Sequence, residues 1–453
     1  MRRLIRSLIP APVGSLLRTQ YNKYKATRLW RYTLHNWDAA IAGIVVAGER
    51  RGQVGKVLIF PSDPDTITGA LGDDAMISAI VDACTLLSGD VKFDMFCRGS
   101  AVGIVEAKGF TPVLLPNDMG EFPARLAQMF SGAPYDALFV LGADVMDGYY
   151  SVNHSAMVLM AADLAARSGI VATVLGCSFN DKPAQQLREV YERLDPRVHL
   201  NIRDVISFER VQAFARVKPR LVADSAFTLT PGTADPSAVS WIQEQRKQGR
   251  IVIGVNVHPM LIRYATHEQV EKIIAGTVQA LRSVGEHHPV SWLMLPHDYR
   301  SKIGDLVCLS PVYERLRALP GVQCFLLEGE FRAADLKALA GELDGVITGR
   351  MHLAIAALGM GVPVLSLTYQ DKFEGLYRHF GLPKTLLLAP QVFDDNAQLS
   401  GSVDDFVRCI APLKQLVEGG KQKVIELAWK NFPLTPPPKP CHGAFGELRE
   451  ICG

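Results

Sequence analysis

Three residues in the stretch "TGRMHLAIAALGMGVPVLSLTYQDKFEGL", residues 348–376, have side chains able to hold an anion and move a proton. Arg350 offers a planar fork of donors suited to phosphate or carboxylate. His352 gains and loses a proton near neutrality, and Lys372 supplies a compact positive charge. The apolar "LDGVIT" ahead of Arg350 reads as a buried strand, and "MHLAIAALG" as a helix that stops at Gly359. Gly349, Arg350 and His352 therefore fall at a strand-to-helix turn. Free backbone N–H groups at such a turn attract anions, and ligands of open α/β sheets bind beyond the carboxyl ends of the strands. "VPVLSLTY" is the next strand, so Lys372 follows it at the same sheet edge, with neighbouring strands about 5 Å apart. The competing reading of these residues is solvated Arg and Lys at strand ends with His as a helix cap.

Other stretches hold the same kinds of residue. Gly72 and Asp73 follow the first strand in "TGALGDDAMISAI", with Asp73 able to orient hydroxyls and Asp74 able to cap a helix starting at Ala75. In "NIRDVISF", Arg203 suits a ligand and Asp204 an N-cap. Asn256 and His258 end the strand in "VIGVNVHPM", and His297 and Asp298 end that in "LMLPHDYR"; each pair is as readily a turn as a ligand contact. Asn153 and His154 open a helix after "LGADVMD" and are weaker candidates for touching an acceptor. "GADVMDG" has two acids three apart but no nearby His and no Asp-x-Asp spacing, so no metal is expected there.

The elements that must position these residues form two series. "KVLIF" (56–60), "VKFDMF" (91–96), "TPVLLP" (111–116), "YDALFVLG" (135–142) and "GIVATVLG" (169–176) read as buried strands separated by amphipathic helices. After the polar, Pro-containing stretch 229–250 a second series follows: 251–257, 290–296, 322–327, 343–348 and 362–369. The expected fold is α/β, with two Rossmann-like domains whose parallel sheets face a central cleft. The expected divisions are a basic N-terminal extension 1–50, a first domain 51–235, a second domain 236–400, and a C-terminal helix with a Pro-rich tail, 401–453. A chain of 453 residues fits two or three domains at about 150 residues each.

Composition narrows the function classes. Hydrophobic residues make up 48% and charged residues 21% of the chain, an ordinary globular balance. A net charge of +2 argues against a dedicated nucleic-acid binder. No apolar run reaches the roughly 18 residues of a membrane span. The eight cysteines include no CxxC pair, which suits free thiols in a reducing compartment and points to a cytoplasmic protein. The N-terminal 35 residues are basic, with no acid before Asp38; they fit contact with anionic lipid at the inner face of a membrane or a solvated arm.

"DGVITGRMHLAIAALGMGVPVLSLTYQDKFEGL" resembles the C-terminal signature of the polysaccharide pyruvyl transferases: Arg-x-His after a "D-x-x-I" strand, then Gly-x-Pro, a strand and a Lys. "TGALGDDAMISAI", "VLGADVMD", "VLGCSF" and "NIRDVISF" are similar to further elements of that family in the same order, so the resemblance spans about residues 56 to 395. Asp74 stands where the family usually has Glu, and Ala143-Asp144 where further glycine is common. The resemblance implies a GT-B-like pair of domains and transfer of pyruvate from phosphoenolpyruvate to a sugar hydroxyl pair of a cell-surface polysaccharide or its lipid-linked precursor, forming a ketal and releasing phosphate. It implies no cofactor and no metal. His352, Lys372 and Arg350 would be catalytic, with His352 as general acid/base and Lys372 stabilising the leaving phosphate. Arg203, Met351, Gly349, Gly72, Asp73, Asn256 and His258 would bind substrate. Two alternatives stay open: a GT-B glycosyltransferase using a nucleotide sugar, with Glu374 on ribose, and a catalytically silent binding homologue.

Overall fold

The computed structural model describes residues 11–44 and 54–434 apart from 68–70, 117, 119, 133–134, 302 and 369–371; of residues 11–26 it describes the backbone alone. Two wholly parallel sheets organise the chain. The first runs β1 (Lys56–Phe60), β2 (Lys92–Cys97), β3 (Thr111–Leu114), β4 (Ala137–Val140), β5 (Val171–Cys177), β6 (His199–Ile202) and β7 (Arg220–Leu221). Its spatial order is β3-β2-β1-β4-β5-β6-β7, which places the switch in winding direction between β1 and β4. The second comprises β8 (Ile251–Asn256), β9 (Val290–Met294), β10 (Cys324–Leu326), β11 (Gly345–Thr348), β12 (Val364–Leu367) and β13 (Leu387–Leu388). Its order is β10-β9-β8-β11-β12-β13, with the switch between β8 and β11.

The central strands are apolar throughout because helices cover both faces: every residue of β4, β11 and β12 is buried. Register then decides what sits at the edge. Thr348 is level with Asn256 on one side and Ser366 on the other, so the turns after β8, β11 and β12 leave the sheet at one height. In the first sheet Phe60 is level with Val140, which brings the turns after β1 and β4 together.

Side chains latch the two units to one another. Asp74 lies in the first turn of the helix Leu71–Ser88, which starts four residues before the expected Ala75; acids in a first turn favour the positive end of the helix. Its carboxylate caps no residue of its own helix. It accepts from Lys108 Nζ at 2.8 Å and from the N–H of Ala333, at the start of a helix in the second unit, at 3.0 Å. Lys337 is buried and donates to the carbonyls of Ala226, Phe227 and Leu229, and burial holds its ammonium down to about 8. The helices Asn396–Arg408 and Ile410–Trp429 bring the chain back to the first unit. There Asn431 accepts from the Gly176 N–H and donates to Ala223 O, both at 2.8 Å.

The N-terminal extension is neither loose nor separate where its side chains are described. Ala11–Gly43 is one helix, and Trp37 is fully buried with Nε1 donating to Asp163 at 3.0 Å. Arg193 stacks over the Trp37 ring at 4.5 Å. A solvated arm is thus excluded for residues 33–40, whose inner face is core; the side chains of residues 1–26, on which lipid contact chiefly rested, lie outside the described residues. The Pro-rich stretch after Leu434 also lies outside them. No helix among the described residues is long and apolar enough to cross a membrane. Cys84, Cys97, Cys177 and Cys308 are buried free thiols.

Candidate active site

The carboxyl ends of the two sheets face each other across a cavity of about 220 Å³. From the first unit come Ser62 after β1, Gly72 and Asp73 at the start of the helix Leu71–Ser88, Ala143 and Asp144 after β4, and Arg203 after β6. From the second come His297 and Arg300 after β9, Arg350, Met351 and His352 after β11, and Lys372 and Phe373 at the start of the helix Lys372–Phe380. Seven of the ten residues expected from sequence therefore line this one cavity: His352, Lys372, Arg350, Arg203, Met351, Gly72 and Asp73.

The other three stand behind it. Asn256 is fully buried, and its Nδ2 donates to Asp305 at 2.6 Å and to Leu295 O at 2.9 Å. His258 is also fully buried; burial, with Arg350 nearby, pushes its imidazole well below the ordinary range. Gly349 is small for packing, since a Cβ there would lie 2.4 Å from Leu261 and 2.7 Å from His258 Nε2. These three brace the Arg350 turn and do not line the cavity. His154, expected as a weak acceptor contact, is turned inward against the Phe60 ring at 6.2 Å, while Ser151 caps its helix.

Each cation of the cavity leans on a carboxylate. Arg203 Nη1 donates to Asp224 Oδ2 and its Nε to Ser178 Oγ, both at 2.8 Å. Arg350 directs Nε and Nη2 at Asp305, at 2.9 and 2.6 Å, and Nη2 also lies 3.0 Å from Asp298. The open fork anticipated for Arg350 is therefore closed by Asp305, and Nη1, beside Met260 Sδ at 3.9 Å, is the remaining group. Arg300 Nε donates to Asp298 at 2.9 Å. Lys372 pairs with Asp144. Such pairing fixes the charges in place before a ligand arrives.

The helix Lys372–Phe380 is held against the Arg203 turn, and this sets where Lys372 meets the first unit. Asp204 caps the helix Val205–Phe214, as its type suggested, accepting from Ser207 N at 2.8 Å. Gly375 packs on that cap so closely that a Cβ would sit 2.4 Å from the Asp204 carboxylate. His379 Nε2 lies 2.8 Å from Arg203 O.

The titratable groups divide sharply. Burial of Asp73, abetted by Asp144 and Asp63 and opposed by the Ser62 hydroxyl at 2.7 Å, pushes its carboxyl up to about 7. Burial would raise Asp144 too, but Lys372, Arg203 and Tyr150 outweigh it and hold it at about 2. Burial keeps His352 below its ordinary 6.5, with Asp224 pulling up and Arg203 down. His352 Nε2 is 3.7 Å from Asp224 Oδ2, too far for a hydrogen bond, and it is buried with no hydrogen-bond partner among the described residues. His297 Nδ1 is in the same condition. Two orphaned imidazole nitrogens on one cavity wall mark a place for a polar ligand.

Sequence reasoning left Ser62, Arg300, Asp224 and Asp305 unnoticed and saw Asp144 as a departure from pattern and as one of two acids unsuited to a metal. Ser62, Asp144 and Arg300 all follow strands at their carboxyl ends, so the strand-end rule is the signal that could have found them. Asp224 and Asp305 reach the site through tertiary folding and carried no local signal. The acids of "GADVMDG" have separate duties: Asp147 takes the N–H groups of Tyr149 and Asn180, both at 2.9 Å.

The class is set by fold first. The chain is similar to S. aureus MnaA in a co-structure with UDP, with 10% identity over 83% of this chain and 94% of that one and a TM-score of 0.52. It is similarly related to a Listeria monocytogenes protein assigned as a UDP-N-acetylglucosamine 2-epimerase, with 13% identity, 84% and 94% coverage and a TM-score of 0.50. The architecture is GT-B-like. No curated relative matches the chain. The polysaccharide pyruvyl transferase family model matches residues 70–371, and the chain belongs to that family and is a transferase.

Proposed function

We propose that the chain transfers a pyruvyl group from phosphoenolpyruvate to two hydroxyls of a sugar in a cell-surface polysaccharide or its lipid-linked precursor, forming a ketal and releasing phosphate. The observation that carries this reading is the convergence of Arg203, Arg300, Arg350 and Lys372 around His352 in one cavity of about 220 Å³. Phosphoenolpyruvate bears phosphate and carboxylate on a three-carbon frame, and each charge-assisted hydrogen bond to it contributes about 1.5–3 kcal/mol.

The raised carboxyl of Asp73 and the lowered imidazole of His352 support the following division of the protons. Asp73, neutral up to about pH 7, gives a proton to the methylene carbon, whose double-bond electrons take it up. The first sugar hydroxyl bonds to C2 as neutral His352 accepts its proton. The C2–O bond to phosphate then breaks, the electron pair leaves with oxygen, and the imidazolium returns its proton to that phosphate while Lys372 and the arginines hold its charge. The second hydroxyl closes the ketal and its proton restores Asp73. Of the two hydroxyl protons, one thus ends in the new methyl group and one on phosphate.

A nucleotide-sugar reaction is less well served. Glu374, the candidate ribose ligand, is engaged by Arg378 at 2.9 Å and Lys384 at 2.7 Å and does not line the cavity. A silent binding homologue would have no chemical need for an acid–base pair with divergent protonation. His352→Ala and Lys372→Ala, assayed for phosphate release from phosphoenolpyruvate with acceptor, should each be slower, His352→Ala by roughly 10²–10⁴-fold. Near wild-type turnover in both variants would refute the assignment.

A further inference from the structure

A second cleft, of about 800 Å³, opens beside the catalytic cavity and plays no part in the chemistry above. Four of the twelve large hydrophobic side chains exposed among the described residues line it: Tyr149, Tyr150, Tyr264 and Ile303. Such side chains are ordinarily scattered singly, so their gathering in one concavity marks an interaction site. Tyr149 and Tyr150 stand edge to face with centroids 5.0 Å apart. Arg263 lies 5.0 Å from the ring of Tyr149 and 5.0 Å from that of Tyr264, joining a loop of the first unit to a loop of the second. Tyr264 is 86% exposed and has a backbone φ of 56°, a conformation that bulky L residues rarely adopt. The turn therefore holds an aromatic ring out into the cleft.

Two residues make the wall between cleft and cavity. The Tyr150 hydroxyl donates to Asp144 Oδ2 at 3.0 Å, and Met260 Sδ lies 3.7 Å from Arg300 Nη2 and 3.9 Å from Arg350 Nη1. Asp144, Arg300 and Arg350 face the catalytic cavity on the other side. Tyr150 and Met260 thus touch residues of the cavity while lining the cleft, so the two spaces are neighbours.

We infer that this cleft is a saccharide subsite, which binds the sugar rings next to the one that receives pyruvate. This rests on the proposed reaction for the identity of the ring at His352. Pyranose rings have apolar C–H faces that lie on aromatic rings and hydroxyls that bond to groups at the ring edge. Tyrosine and arginine offer both surfaces at once. An isoprenoid tail is the poorer fit, because it would lay hydrocarbon over the Arg263 guanidinium, which has more N–H donors than its bonds to the Tyr149 and Tyr264 hydroxyls use.

The test uses the full chain on a printed array of mono- and oligosaccharides, comparing wild type with Tyr264→Ala and Arg263→Ala, and with a phosphoenolpyruvate thermal shift on each protein. The expected result is an oligosaccharide preference in wild type that falls roughly tenfold in Tyr264→Ala, with the phosphoenolpyruvate shift retained. Equal array binding by wild type and both variants, or no oligosaccharide preference in wild type, overturns the subsite. Capture by bare phosphatidylglycerol vesicles that Tyr264→Ala abolishes, without any glycan dependence, overturns it in favour of lipid. A wild-type protein without a phosphoenolpyruvate shift counts against the proposed reaction and leaves the array result to judge the cleft.

Discussion

Asp144→Asn should tighten phosphoenolpyruvate binding while weakening the fold, because one ion pair governs both. Asp144 pairs with Lys372, and with Arg203 and Tyr150 also acting on it, its carboxyl falls from the ordinary 3.8 to about 2 against the opposing effect of burial. At about 1.4 kcal/mol per pKa unit, that fall corresponds to roughly 2–3 kcal/mol of net stabilisation of the carboxylate. The folded-state value is depressed, so this contribution is complete above about pH 4 and is lost as pH falls through about 2. An incoming phosphate and carboxylate must compete with Asp144 for the ammonium and approach its negative charge. Replacing the acid by its neutral amide removes both obstacles. If about half of the interaction is returned to the ligand, the dissociation constant for phosphoenolpyruvate falls roughly 3–10-fold, at about 1.4 kcal/mol per tenfold. Calorimetric titration of phosphoenolpyruvate into wild type and Asp144→Asn at pH 7.5 reads the affinity, and urea unfolding of the same samples reads the stability. Weaker phosphoenolpyruvate binding in the variant would refute the view that Asp144 and the donor compete for Lys372.

Four further outcomes are expected. The pH profile of kcat/KM should be bell-shaped: the rate falls as pH rises through about 7, where Asp73 loses its proton, and falls on the acid side below the ordinary histidine value of 6.5, where His352 gains one. Asp73→Asn should lower turnover roughly 10²–10⁴-fold and leave no alkaline limb near pH 7 in the residual activity. Gly72→Ala should cut kcat roughly 100-fold, since the added Cβ would lie 2.4 Å from His352 Nδ1 and push the ring out of place; an unchanged kcat would show that the imidazole position is not critical. Asp305→Asn should destabilise the protein by about 3–5 kcal/mol in urea unfolding, because the carboxylate takes donors from Arg350, Asn256, His297 and Asp298, and an amide turns one acceptor into a donor.

The sheets were readable because parallel strands buried on both faces are written as unbroken apolar runs; "KVLIF" coincides with β1 to the residue. The two-residue strands β7 and β13 were not, since Arg220–Leu221 is exposed and neither segment is long enough to show a period. Strand ends were the productive signal for the site, for Arg203, Arg350 and Lys372 all follow strands and converge. The same rule overreached at Asn256, whose amide is spent on Leu295 O and Asp305, and at His258, which packs against Gly349. What stayed hidden was the carboxylate behind each cation. Asp305 lies 45 residues from Arg350 and Asp144 lies 228 from Lys372, so the neutralisation of the cavity is a property of the assembled fold. Asp74 shows the limit of local capping rules: it is of the right type for an N-cap, yet its helix starts earlier, at Leu71, and its carboxylate serves a helix of the other unit.

The most direct measurement is a crystal structure of the protein soaked with phosphoenolpyruvate. The expected density places the donor between the two sheets, with phosphate and carboxylate oxygens within about 3.2 Å of Lys372 Nζ, an Arg203 or Arg300 nitrogen and His352 Nε2. Donor density elsewhere, with His352 Nε2 still unpartnered, would contradict it.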